Sequence, residues 1–223
     1  MNKTALALIP ARGGSKGIPN KNLQKIGGTT LVGRSVIAAF QSQYVNRVVV
    51  STDDESIGDV AASHGALTIQ RPPELSGDSA SSESALLHAL DQLEQLGPLE
   101  PNIIFLQCTS PFTTGRHIDD VLHPLNNDEY NSAFSVVPWH GFLWSLDGAG
   151  LNHDPAAPRL RRQELTPSYL ETGALYAMRT SVFREKLNRF CQPSKPVPIE
   201  GSGPDIDTHD DLDLCRLLYE LRR

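Results

Sequence analysis

The chain has 223 residues, 39% of them hydrophobic and 21% charged, with a net charge of −6 at pH 7. These values are ordinary for one substantial globular domain, the acidic balance argues against a general nucleic-acid binder, and no window approaches the roughly 18 apolar residues of a membrane span. Three cysteines (Cys108, Cys191, Cys215), odd in number and far apart, point to reduced thiols in a cytoplasmic protein and give no metal motif. The opening "MNKTALALIPARGG" has too short an apolar run for a signal peptide, and no cleavage site follows.

In chain order, "TALALIP" is a short apolar run ending in proline and predicts a buried strand. "TTLVGRSVIAAFQSQ" predicts a helix, with Leu31, Val32, Ser35, Val36 and Ala39 on one face. "RVVVST" is a β-branched second strand. The helix "DDESIGDVAASHG" follows, with Gly65 as its stop and capping-box spacing between Thr52 and Glu55. "ALTIQRP" is the third strand. "SASSESALLHALDQLEQLG" is the clearest helix, with Leu86, Leu90 and Leu93 on one face and Leu87 beside it. "NIIFLQ" is the fourth strand, a helix is expected from Thr114 to Leu125, and "SAFSVVP" is the fifth strand. The stretch from about Pro138 to Thr172 breaks this rhythm with prolines, glycines, both tryptophans and an arginine cluster, and reads as an arm. "ALYAM" has a strand pattern, and "THDDLDLCRLLYELRR" closes the chain as a helix.

Alternating strands and helices predict an α/β fold with a doubly wound, mostly parallel sheet, one domain over residues 1–223 with a small arm at about 138–172. Ligands of such sheets bind beyond the carboxyl ends of the strands. The loops starting at Pro10, Ser51, Gln70 and Gln107 should therefore share one edge. The first of them, "IPARGGSKGIPNKN" (Ile9–Asn22), is rich in glycine and holds three cations, Arg12, Lys16 and Lys21. Glycine lets backbone N–H groups turn toward an anion. The loop is neither a P-loop nor a G-x-G-x-x-G turn. From charge and glycine alone, a phosphate cradle and a mobile solvated turn are equally good readings. "GTTLVGRS" (Gly28–Ser35) only approximates a P-loop and is better read as a helix start.

The order of residues carries more. "IPARGGSKGIPNKN" resembles the N-terminal signature of the N-acylneuraminate cytidylyltransferase family. "VVVSTDDESI", "RPPELSGDSASSESALLHAL", "LQCTSPFTTGRHI", "FSVV", "PRLRRQELTPSYLETGALYAM" and "PDIDTHDDLDL" are similar to later segments of that family, in the right order along the whole chain. Single motifs among them are shared with Kdo cytidylyltransferases and other nucleotidyltransferases.

The resemblance implies transfer of CMP from CTP to the anomeric hydroxyl of a nine-carbon keto-acid sugar, with release of pyrophosphate. It also implies a Mg²⁺ or Mn²⁺ requirement and a homodimer whose arm places an arginine, Arg162, in the neighbour's sugar pocket. Ala11, Arg12, Gly13, Gly14, Lys16 and Lys21 would hold the triphosphate. Asn22, Arg71, Ala80 and Ser82 would form the cytidine pocket, and Gln107, Thr109, Ser110, Arg162, Gln163, Tyr176 and Phe190 the sugar side. Arg12, Lys21 and Asp207 would be catalytic. Plainer readings exist for several of these: Asn22 as a turn cap, Arg71 on the surface, Ser79, Ser81 and Ser82 as a helix start, Tyr176 in the core.

Asp205 and Asp207 flank Ile206. In an extended strand that spacing puts both carboxylates on one face and the isoleucine in the core. Two hard oxygen ligands suit Mg²⁺, which takes waters and substrate phosphates as its other ligands. Thr208 and Asp211 have capping-box spacing for the helix that follows. The chain departs from common family forms at Cys108, Glu164 and Glu171-Thr172-Gly173. These positions lie near the sugar side, so N-acetylneuraminate, Kdn, legionaminate and pseudaminate all stay open as substrates. A non-catalytic nucleotide-binding relative and a Kdo cytidylyltransferase are the alternatives. The seven histidines show no paired-ligand spacing, and Cys108 reads as a small buried strand-end residue.

Overall fold

The computed structural model describes residues 5–15, 17–77 and 80–222, with only the backbone of Arg162. Seven strands form one sheet in the order β5-β4-β1-β6-β8-β7-β9. They are β1 (Ala5–Pro10), β4 (Val45–Thr52), β5 (Leu67–Gln70), β6 (Asn102–Leu106), β7 (Ser132–Trp139), β8 (Ser168–Arg179) and β9 (Ser194–Pro198). A two-stranded ribbon, β2 (Lys25–Ile26) and β3 (Thr29–Thr30), stands apart from it. β5, β4, β1 and β6 run parallel; β8 is antiparallel to both β6 and β7; β9 runs parallel to β7. The expected α/β class and mostly parallel sheet are found.

Period-two alternation feeds two cores. Ala5, Ala7 and Ile9 of β1 face one, with α1 (Leu31–Gln41), α4 (Gly115–Leu122) and α6 (His209–Leu221); Leu6 and Leu8 face the other, with α3 (Ser82–Glu94) and α5 (Thr180–Lys186). A sheet covered on both faces explains why its inner strands read as continuous apolar runs. Thr30 caps α1, accepting from Gly33 N, so "GTTLVGRS" is a helix start. Leu86, Leu90 and Leu93 of α3 are buried, and Gly65 has φ +89° just past the end of α2 (Glu55–Ser63).

Four expectations need correction. The cap of α2 is Asp54, whose carboxylate accepts from Ile57 N; Thr52 Oγ1 instead accepts from Asp54 N, inside the turn. Residues 138–139 and 168–172 are not irregular: Pro138 pairs with Tyr169 and Trp139 with Ser168, so the β7–β8 ladder runs into the arm and only 140–167 leave the sheet. Asp205–Asp207 is not a strand; it is an irregular segment whose backbone is tied by Ile206 N donating to Thr109 O (2.9 Å). β9 was not expected, because Pro196 and Pro198 cannot donate to a ladder; it forms at the sheet edge, where such residues are tolerated. Among the described residues no helix is long and apolar enough to cross a membrane.

Candidate active site

The loop after β1 is pinned from several sides. Ala11 N continues the β1–β4 ladder to Ser51 O (2.9 Å), and Gly13 N donates to Asp53 Oδ1 (3.0 Å). Asn22, nearly buried, donates from Nδ2 to the Arg12 carbonyl (2.9 Å) and so braces the loop across ten positions. A Cβ on Gly13 would lie 2.7 Å from Asp54 Oδ2, and one on Gly17 would lie 2.7 Å from the Asp207 carbonyl oxygen. Both glycines are there because neighbours approach too closely for a side chain. Gly14 differs: no atom lies within 4 Å of its would-be Cβ.

Lys21 closes the loop onto the C-terminal segment. Its Nζ donates to Ile206 O (2.9 Å) and to Asp207 Oδ1 (3.2 Å). The lysine side chain is 17% exposed and the aspartate 76%, so the cation is held in the wall while the carboxylate stands in the open cleft. Behind them Ile206 is fully buried, as expected, and Ser110 Oγ donates to Asp205 Oδ1 (2.9 Å). Thr208 and Asp211 form the expected capping box at the start of α6.

Arg71 is not a surface residue. It is 5% exposed, its backbone N donates to Thr52 O (2.7 Å), and its guanidinium donates to the Ser51 carbonyl and to Ser51 Oγ (3.2 Å). Burial pushes its pKa down from the usual arginine value, Asp53 opposes that, and the nearby Arg12 charge adds to it. Two loops, those after β1 and β5, thus bring Arg12, Lys21 and Arg71 to one wall. A cleft of about 420 Å³ lies there, at the carboxyl ends of β1 and β6 as the topology predicts. Asn22, Ala80, Ser82, Gln107, Thr109 and Asp207 also line it. Ser81 caps α3 by accepting from Ser84 N (3.1 Å), so the helix-start reading of this serine run holds for Ser81. Gln107 N donates to Ala174 O (3.1 Å), fixing the strand end. Thr109 Oγ1 is buried with no hydrogen-bond partner among the described residues. Cys108 is buried, and its thiol is pushed up to about 12, chiefly by burial, which suits a packing role.

The remaining sequence candidates are not gathered here. Lys16, Ser79 and the Arg162 side chain lie outside the described residues. Gln163 is exposed in the arm. Tyr176 is 2% exposed and lies in the second core, stacked on Phe105 (5.5 Å between centroids), with its hydroxyl donating to Glu171. Phe190 packs edge-on against Tyr176 (5.8 Å) and Phe134 (5.1 Å). Both aromatics are thus packed among other rings, and Phe105 is the ring that reaches the cleft. Phe105 was missed, although its place two residues before Gln107 puts both on one side of the strand. Asp53, which takes the Gly13 N–H, was also missed; its signal was the strand end "STDD". The arm encloses a separate cavity of about 340 Å³ lined by Trp139, Phe142, Trp144, His153 and Arg159.

Among the described residues no three His, Cys, Asp or Glu side chains cluster as a metal cage. The cleft offers a smaller donor set, the open carboxylate of Asp207 with Asp205 behind it. Two hard oxygen groups fit a cation that takes its other ligands from water and from substrate phosphates, as Mg²⁺ does.

The chain matches the family model described as Cytidylyltransferase over residues 6–194. It is 36% identical over 188 residues to N-acylneuraminate cytidylyltransferase A of Danio rerio, covering 81% of this chain and 43% of that protein. It is 30% identical to CMP-N,N'-diacetyllegionaminic acid synthase of Legionella pneumophila subsp. pneumophila, covering 98% and 97% of the two chains. The chain therefore spans less than half the length of its fish relatives and nearly all of the bacterial one. Among solved structures, the CMP:2-keto-3-deoxy-manno-octonic acid synthetase complexed with CTP superposes with a TM-score of 0.76 at 21% identity, over 98% of this chain and 99% of that one. A 4-diphosphocytidyl-2C-methyl-D-erythritol synthase from Anaerococcus prevotii gives 0.69 at 14%, over 99% and 97%. At these identities the structures speak for the fold alone.

Proposed function

The chain belongs to the cytidylyltransferase family, and from that premise we propose that it transfers CMP from CTP to the anomeric hydroxyl of a sialic acid or related nonulosonic acid. The observation that carries this reading is the Lys21 contact: one ammonium ties the glycine-rich loop to Asp207 across a cleft that also holds Arg12 and Arg71. Such a cleft has cations for a triphosphate on one side and a carboxylate for a hydroxyl on the other.

The reaction breaks the bond between the α-phosphorus and the bridging oxygen as the sugar oxygen bonds to that phosphorus, and pyrophosphate leaves. Charge grows on the phosphoryl and leaving oxygens, so donors fixed in advance stabilise the transition state. Arg12, Lys21, Lys16 and the N–H of Gly14 would do this; the N–H groups of Ala11 and Gly13, expected from the sequence to share the task, are already bonded to Ser51 O and Asp53 and instead fix the loop. Asn22, Arg71, Ala80 and Ser82 would enclose the cytosine. Gln107 and Thr109 would bind the sugar, while Ser110, expected beside them, is buried and orients Asp205 instead. Asp207 would take the hydroxyl proton, the geometry for which is an exposed carboxylate facing the cleft. A Mg²⁺ or Mn²⁺ ion held by Asp205 and Asp207 would neutralise phosphate charge and lower the hydroxyl's pKa.

The same reading includes one domain over the chain, a homodimer in which the arm carries Arg162 and Gln163 to the partner's site, and a reducing cytoplasmic compartment. The arm's half-exposed Trp144 and Tyr169 support the dimer, since aromatics are enriched at interfaces. The three buried free thiols support the compartment. The test is pyrophosphate release with CTP, ATP and GTP against a panel of N-acetylneuraminate, Kdn, legionaminate, pseudaminate and Kdo. CTP should far exceed the other nucleotides. Equal turnover with all three would sink the cytosine pocket, preference for Kdo would favour the alternative enzyme, and no release with any acid would favour a non-catalytic nucleotide binder.

A further inference from the structure

Arg189 does not line the cleft described above, yet it joins two elements that do, the start of α3 and the end of β6. Its Nε donates to Glu83 Oε1 (2.6 Å), and both side chains are only 19% exposed. Its guanidinium lies over Phe105 (5.2 Å to the centroid) and over Tyr176 (4.8 Å). Glu83 follows Ser82 in the first turn of α3, the helix whose start lines the cleft, and Phe105 lines the cleft from β6. Tyr176 in turn donates to Glu171, at the β8 end nearest the arm.

A partly buried ion pair is weak evidence of a contribution to stability. Its desolvation offsets much of the attraction, and an apolar pair of similar volume would hold a core at least as well. Burial is the largest influence on the Glu83 carboxyl and would raise it, but the hydrogen bond and charge of Arg189 together with backbone hydrogen bonds hold the group below its ordinary range, so both partners stay charged. What the pair adds is geometry. A cation bonded to Glu83 and lying over two rings ties α3 to β6 and β8 in one arrangement. A second ion pair offers the contrast. Arg184 binds Asp91 (2.8 Å) and Glu94 (3.2 Å) on the same helix, further along it, where both acids are about half exposed.

We propose that Arg189 is a positioning residue that holds the cytidine wall of the cleft at a fixed distance from the sugar side, so that both substrates depend on it for binding. This rests on the functional reading above. It predicts a KM effect on both substrates with little change in kcat, because Arg189 acts through Glu83, Phe105 and Tyr176 and touches no reacting atom. Arg189→Ala and Glu83→Gln should each raise KM for CTP and for the preferred acid by about tenfold, the scale of one lost charge-assisted hydrogen bond. Arg189→Lys should recover part of this, since an ammonium can reach Glu83 but has no planar guanidinium to lie over Phe105 and Tyr176. Arg184→Ala should leave both KM values alone.

The measurements are steady-state kinetics, calorimetric titration with CTP, and thermal melting of each variant. Unchanged KM values and unchanged CTP affinity with a lower melting temperature would overturn the proposal, leaving a structural ion pair. An equal rise in KM from Arg184→Ala would also overturn it, because any loosening of α3 would then suffice. Glu83→Gln keeps the side chain's shape and decides the matter if Arg189→Ala does not fold. Failure of the wild-type protein to bind CTP would instead refute the functional reading, and the inference with it.

Discussion

Replacing Lys21 by methionine removes one charge and keeps most of the side-chain volume. Two interactions are lost, the donation to Ile206 O and the pair with Asp207. The Asp207 carboxylate is 76% exposed, so that pair contributes about 0–1 kcal/mol to folding. The Ile206 carbonyl bond has a charged donor in a nearly buried place and is worth about 1.5–3 kcal/mol. Stability should therefore fall by about 2–3 kcal/mol, within the margin of an ordinary domain. Activity should fall further if, as proposed, the same ammonium meets phosphate charge that develops only in the transition state. Loss of one such donor costs about 10²–10³ in kcat. Pyrophosphate release with saturating CTP separates the two effects: if the loss were only loop loosening, saturation would restore kcat. A folded Lys21→Met variant with wild-type kcat would refute the assignment and leave the loop as a turn.

Four further outcomes are expected. Asp207→Asn should reduce turnover by about 10²-fold or more without lowering the melting temperature, and Asp205→Asn should mainly raise the Mg²⁺ concentration required; wild-type behaviour of both would move any metal site elsewhere. Gly17→Ala puts a Cβ 2.7 Å from the Asp207 carbonyl, against a backbone that cannot swing aside; about 1–3 kcal/mol of stability and about 10²-fold in rate should go, read by melting and turnover. Glu100 accepts from Arg47 Nε (2.7 Å), Arg47 Nη2 (2.6 Å) and Asn46 (3.0 Å), bonds that overcome burial and hold its carboxyl below the ordinary 4.5. Its stabilisation is thus present above pH 4.5 and lost as pH falls through the lower folded value, so the melting gap between wild type and Glu100→Gln should close in acid. Nearly inactive Arg162→Ala and Asp207→Asn proteins, mixed under subunit exchange, should regain up to about a quarter of wild-type site activity; no recovery despite exchange would place Arg162 in its own subunit's site.

Most of the sheet was legible because its inner strands are short apolar runs set between helices with a clear apolar face. β9 was not, since proline is read as a breaker and only an edge position forgives it. Asp205-Ile206-Asp207 was read correctly in its central residue for a reason that does not need a strand. Any extended backbone alternates, and a buried Ile206 is enough to turn its neighbours outward. The sugar-side aromatics were less legible because a ring that packs on a sugar and one that packs on another ring have the same composition. Only the third dimension shows Tyr176 between Phe105 and Phe190. The Lys21–Ile206 contact joins residues 185 positions apart, which no spacing rule in one chain reveals.

The basic loop shows how chemistry and fold can ask for the same residue for different reasons. Composition explains its glycines as flexibility for turning N–H groups toward an anion. The structure gives Gly13 and Gly17 another cause, the closeness of Asp54 and of the Asp207 backbone. The two causes are not rivals. A loop packed that tightly, and braced by Asn22, Asp53 and Lys21, holds its donors with little freedom left to lose when a ligand arrives. Preorganisation of this kind is what electrostatic stabilisation of a charged transition state requires. A mobile turn of the same composition would have to order itself at each encounter, at about 1–2 kcal/mol of backbone entropy per residue. Tight packing at Gly13 and Gly17 is therefore the physical argument for a phosphate cradle over a solvated turn, a choice that charge and glycine content leave evenly balanced.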